Sequence, residues 1–223
     1  MYGIQVRKNI KKDAWNWWDA CNRISYGVNW KERVDKKIYS RISGKTEKEA
    51  YAFLLPYLEK LYKRIHLDKE IKLTQQIFDE KKEKIFSIME KVTGKKIYRK
   101  NFYCYFTTFP RGPYNLKKGS VGLPVIWGRK TFINVFVHEL LHFQTIYYFK
   151  TEIVEKVSDK DFENFKEALT VILNVEFKEL LTQHDRGYKI HRKLREKLLH
   201  YWSKERNFSK LIDYGVKIYH KNF

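Results

Sequence analysis

Cysteine is nearly missing from this sequence. Cys21 and Cys104 are the only two in 223 residues, and neither stands in a CxxC pair or beside a histidine. A disulfide-stapled fold and a cysteine-built zinc finger are thereby excluded, and two isolated thiols fit a reduced, cytoplasmic protein. Proline (4) and glycine (10) are scarce too, and the chain has no internal repeat and no low-complexity segment longer than a few lysines. No run approaches 18 apolar residues, so no membrane span is expected. The opening MYGIQVRKNIKKDAWNWWDA has no continuous apolar core of the signal-peptide kind, and a soluble, unexported protein is expected. Its three tryptophans, flanked by Asp13 and Asp19, read as a core edge rather than an interfacial anchor.

Acidic residues are also few for the number of bases. The 26 Asp+Glu stand against 46 Lys+Arg, a formal net charge of +20. Such an excess attracts nucleic acid, anionic membranes or acidic proteins at low salt. The lysines are spread along the whole chain, as in KKIYSRISGK and EKKEKIFSIMEK, and read first as solvated helix faces. Nucleic acid is kept as a secondary partner.

What is present is ample apolar material: 43% hydrophobic and 17% aromatic residues fill one substantial core. One domain over residues 1–223 is expected, of α+β class. Residues 1–100 read as mostly helical. Ala50, Phe53, Leu54, Leu58, Leu61 and Ile65 keep helical spacing, interrupted by Pro56. A second stripe holds Ile71, Ile77, Phe78, Ile85, Ile88, Met89 and Val92 and stops at Gly94. Residues 101–181 open with two strands, Phe102 to Phe109 and VGLPVIWG, with Pro124 marking a bulge or a place near an edge. Two helices follow, the second capped by Ser158 and running through FENFKEALTVILNVEFKELL. Residues 182–223 complete the chain with further helix, including YKIHRKLREKLLHYW.

One stretch does not fit a purely structural role. NVFVHELLHFQTIYYF is apolar on nearly every side, yet carries His138, Glu139 and His142. On a helix, residues four apart share a face, so His138 and His142 can both put an imidazole nitrogen on one ion. Glu139 can then reach a water on that ion and serve as general base. This is HExxH, the arrangement of a zinc hydrolase. Burying an unpaired carboxylate costs several kcal/mol by rough estimate, and one Zn2+ would supply the missing partner. A catalytic site needs a third ligand and an open position. Thr145 and Tyr148 stand where a metzincin would have glycine and a third histidine. The competitors are Glu167, on a polar stripe with Thr170 and Asn174; Glu163, one turn earlier; and His184, beside Asp185, which can orient it.

HELLH followed after a short linker by a second helix carrying KEALT resembles the gluzincin clan of zinc metallopeptidases, and the short length resembles the compact minigluzincins. Glu167, Ala168 and Thr170 match the clan's second motif, while Lys166 stands where it often has Asn; the likeness spans Tyr103 to Leu181. The resemblance implies a zincin-like fold, mainly helical with a small sheet above a buried active-site helix. It implies His138, His142 and Glu167 as zinc ligands and Glu139 as the catalytic base. It also implies that FYCYFTTF is an edge strand binding extended peptide. The substrate would be a peptide or protein, with endo- or oligopeptidase activity favoured. Tyr188 and His191 are the candidates for stabilising the tetrahedral oxyanion. Two alternatives remain: a DNA-associated, SprT-like zinc protease with a histidine as third ligand, or a non-enzymatic basic binding protein.

Overall fold

The computed structural model describes residues 2–25 and 28–222. The chain is mainly helical with a small mixed sheet of four strands, an α+β organisation. It divides into two compact units. One comprises Met1–Tyr2, Lys81–Lys100 and Ile133–Phe223; the other comprises Gly3–Glu80 and Asn101–Phe132. No helix among the described residues is long and apolar enough to cross a membrane.

The second unit holds the sheet. Its strands are β1 (Gly3–Arg7), β4 (Asn101–Thr107), β5 (Tyr114–Asn115) and β6 (Ser120–Pro124), in the order β1-β4-β6-β5. A separate hairpin pairs β2 (Ile24–Ser25) with β3 (Val28–Asn29). β4 lies parallel to both β1 and β6, and only β5 runs antiparallel. Two expectations change here. β4, the FYCYFTTF strand, is internal rather than an edge, because the N-terminal segment supplies a partner on its far side. That segment was expected to be part of a helical stretch, but Ile4 and Val6 are buried in alternation with exposed Gln5 and Arg7, the period of a strand. Pro124 pairs with Thr107 on one side and lies beyond the two-residue β5 on the other, so its missing N–H breaks no ladder.

Helices α1 (Ile10–Asn22), α2 (Lys36–Tyr39) and α3 (Glu47–Arg64) complete this unit with the first part of α4 (Leu67–Thr93). Trp17 of α1 packs edge-on against Phe109 and joins Ala50, Leu54 and Leu58 of α3 in the core. Thr46 and Glu49 form a reciprocal capping box at the start of α3. The helix runs through Pro56 without interruption. Pro56 and Ala52 are both exposed, so the carbonyl released by the missing N–H can bond to water.

The first unit is helical. α4 ends in it, closed by Gly94 at φ +65. α5 (Phe132–Val154) is buried on most sides, with Phe136, Val137, Leu140, Leu141 and Phe143 all shielded from solvent. α6 (Asp159–Leu169) starts at Ser158, whose hydroxyl accepts from Asp161 N. The expected continuous helix then tightens into a 3₁₀ turn at Thr170–Ile172 before α7 (Leu173–Glu176). After a loop, a 3₁₀ turn at Lys189–His191 leads into α8 (Arg192–Glu205), followed by α9 (Phe208–Asn222).

Candidate metal centre

Most polar side chains on the buried faces of α5 are satisfied locally. Gln144 accepts from Tyr98 N at 3.1 Å and donates to Lys96 O, and the Thr145 hydroxyl donates to Leu141 O. Glu139 differs: its Oε2 is buried and has no hydrogen-bond partner among the described residues. One turn of helix brings the His138 and His142 rings edge to face, centroids 4.4 Å apart. α6 turns Glu167 toward them. Glu167 Oε1 lies 3.1 Å from His142 Nε2, and Oε2 lies 3.5 Å from His138 Nε2. The donor atoms of His138, His142 and Glu167 all fall within 4.8 Å of one another.

That convergence fits one small divalent ion. Two ligands about 2.0–2.1 Å from a tetrahedral ion lie roughly 3.3 Å apart, and the two Nε2-to-carboxylate separations bracket this value. His138 Nε2 is left available because Nδ1 is taken: it bonds to Asp185 Oδ2 at 2.6 Å. This is the carboxylate–histidine arrangement that fixes the tautomer and orientation of a metal-binding imidazole. His142 is 1% exposed, whereas His138 keeps 22% of its side chain open, so solvent reaches the cluster from that side.

Asp185 is itself held from several directions. Arg195 donates through Nη2 to Asp185 O at 2.6 Å and Oδ1 at 2.8 Å, and through Nη1 to Thr170 Oγ1 at 2.7 Å. Asn174 grips the Asp185 backbone twice, donating to its carbonyl and accepting from its N–H. The Thr170 and Asn174 stripe of the sequence therefore anchors the loop that orients His138. Gly187 adopts φ +60 here, and a Cβ on it would lie 2.7 Å from Arg195 Nη1. Only glycine fits both demands.

The charged groups of the cluster act strongly on one another. Burial opposes charge on His138, but Asp185 and Glu167 together outweigh it and hold its pKa well above the ordinary histidine value. Burial pushes His142 down to about 4, with Glu167 opposing. Glu167 is held far below the usual carboxylate range, since His142 and His138 overcome its burial. Asp185, likewise buried, is brought down to about 2 by His138, Arg195 and Thr170. Glu139 moves the other way: burial raises it to about 7, with the His138 charge opposing.

The other candidates are placed as follows. Glu163 is 42% exposed, bonds to Lys166 Nζ at 2.7 Å, and is outside the donor group. Lys166 is fully buried and its ammonium lies 3.9 Å from Glu167 Oε1. His184 is exposed and outside the donor group. The expected pairing of Asp185 with His184 is corrected: consecutive loop side chains diverge, and Asp185 faces His138 instead. Tyr188 precedes the 3₁₀ turn, and its ring meets that of His191 edge-on at 5.8 Å. His191 is buried; its Nε2 contacts Asn164 Oδ1 at 3.1 Å and its Nδ1 has no partner among the described residues. Arg195 could be read from the sequence only as part of a charged surface with Arg192 and Lys193, whereas it is 5% exposed, because an arginine in RKLREK carries no mark of burial.

No protein family, curated protein or solved structure matches this chain.

Proposed function

We propose that this chain is a zinc-dependent metallopeptidase with a zincin-like, gluzincin-type catalytic site. The observation that supports it most is the convergence of His138, His142 and Glu167 beside the unpartnered Oε2 of Glu139. Two imidazoles and one carboxylate are a donor set suited to a single catalytic zinc with an open position. Bound there, zinc would act as a Lewis acid and lower the pKa of a coordinated water to about 7.

Glu139 would receive the proton at Oε2, the atom with no competing hydrogen bond among the described residues. Burial raises Glu139 to about 7, and a cation held by His138, His142 and Glu167 would favour its ionised form. Asp185 holds His138 so that Nε2 stays directed at the site. Within the Tyr188 and His191 pair, Tyr188 is the oxyanion donor. With Nε2–H given to the Asn164 carbonyl, a neutral His191 presents only a lone pair at Nδ1, and burial favours the neutral ring. His191 then positions the Tyr188 ring through their edge contact.

The substrate in this reading is a peptide or protein, with endo- or oligopeptidase action. Cys21 and Cys104, both free and buried, support a reducing, cytoplasmic setting. A histidine-ligated, SprT-like site draws no support from His184, which is exposed. The test is exposure of zinc-loaded protein to an unbiased peptide library. Cleavage that stops on chelation and returns with zinc is expected; a fully zinc-loaded protein that leaves every peptide intact would end the proposal.

A further inference from the structure

A second site candidate lies wholly within the sheet-bearing unit and uses none of the residues of the candidate metal centre. α1, β4, β5 and β6 enclose a cavity of ≈ 280 Å³, open on one side. This is near the lower limit of the roughly 300–1,000 Å³ of small-molecule sites, so it suits a compact ligand. Two cations stand at it, Lys12 from α1 and Lys118 from the turn before β6. The Lys12 ammonium sits 3.6 Å from the Tyr105 ring centroid, and neither lysine forms an ion pair among the described residues. Burial, with the Lys118 charge added, lowers the Lys12 pKa, as expected of two ammonium groups with no anion between them.

The lining carries a polar side chain with no hydrogen bond among the described residues. Ser120 is 6% exposed, lines the cavity, and makes no side-chain hydrogen bond among the described residues. Its hydroxyl is not among the fully enclosed unpartnered atoms, so it is open to a partner entering the cavity. The one carboxylate in the lining, Asp13, is not available as that partner or as a counter-ion. Its oxygens already accept from the Thr107 hydroxyl, the Thr108 N–H, the Thr108 hydroxyl and Tyr62, between 2.7 and 3.0 Å. Burial raises the Asp13 pKa, and these four donors oppose the rise. Trp15 and Tyr114 add apolar surface to the walls.

We propose that this cavity binds one small organic anion, a carboxylate or phosphate group on a compact apolar body, with Lys12 and Lys118 pairing the anion and Ser120 hydrogen-bonding to it. Two lysines act as point charges and do not distinguish the two headgroups, so the assignment is to their shared chemistry.

The test is calorimetric titration of the full chain at about 150 mM salt, where diffuse attraction to a basic surface is screened. The probes are phenyl phosphate, benzoate, inorganic phosphate and benzyl alcohol. One saturable site for phenyl phosphate or benzoate is expected, and the tighter of the two identifies the headgroup. Lys12→Met and Lys118→Met should each weaken it about 10-fold or more, and Ser120→Ala several-fold, while Lys60→Met leaves it unchanged. The thermal midpoint of each variant checks that it is folded, and the two lysine substitutions lie on separate segments. The proposal is overturned by no saturable binding of either organic anion, by equal binding of benzyl alcohol or inorganic phosphate, or by folded Lys12→Met and Lys118→Met proteins that bind like the parent.

Discussion

Asp185 Oδ2 lies 2.6 Å from His138 Nδ1, which commits the other ring nitrogen to the space shared with His142 and Glu167. Loss of a carboxylate in this position usually lowers metal affinity 10- to 100-fold. Asp185→Asn should therefore bind zinc at least about 10-fold more weakly than the parent in competition with a chromophoric chelator. Equal affinity would separate the loop from the metal site.

The third ligand is tested by single substitution. Glu167→Ala should lose about 10-fold or more in zinc affinity, whereas Glu163→Ala and His184→Ala should stay near the parent value. Parent-like binding by Glu167→Ala, together with loss in His184→Ala, would reject the gluzincin reading.

The His138–Asp185 pair also sets a pH window for the stability of the metal-free protein. Asp185 is depressed to about 2 and His138 raised. The Asp185 contribution is present above its unfolded value near 3.9 and disappears as pH falls through about 2. The His138 contribution is present below about 6.5 and is lost as pH rises through its raised folded value. The gap in thermal midpoint between parent and Asp185→Asn should thus be widest between about pH 4 and 6.5 and narrow on either side. A gap constant from pH 3 to 9 would count against the pairing.

Gly187→Ala places a Cβ against the Arg195 guanidinium in a left-handed backbone. The conformation alone costs about 1 kcal/mol. Displacement of Arg195 should also release Asp185, so both the thermal midpoint and zinc affinity should fall. A lower midpoint with unchanged zinc affinity would show that Arg195 does not act on the site.

The charge of +20 is diffuse in the sequence. If it is a solvated coat, binding to duplex DNA should be weak, independent of sequence and largely gone at about 200 mM salt. Nanomolar affinity surviving that salt in a fluorescence-anisotropy titration would favour the DNA-associated alternative.

The candidate ligands were legible because helix periodicity acts locally. Four-residue spacing aligns His138 with His142, and the Glu167, Thr170 and Asn174 stripe is readable within one short segment. Asp185 was visible only as a neighbour of His184, since its partner lies 47 residues away and depends on the path of a loop. Arg195 was hidden for the same reason, its guanidinium being buried by Gly187 and Thr170. In the sheet, the composition of β4 identified a strand but not its neighbours. Its internal position depends on β1, almost a hundred residues earlier, where Ile4 and Val6 alone carry the alternation. Pro56 was misleading because a proline is read as a break unless its exposure is known.

The most direct test compares Glu139→Gln with His142→Ala, measuring zinc per chain and peptide turnover on the same preparations. Glu139→Gln should retain nearly stoichiometric zinc and lose most turnover, because it removes the base and leaves the ligands intact. His142→Ala should lose both. Parent-like zinc content in His142→Ala, or parent-like turnover in Glu139→Gln, would contradict the account.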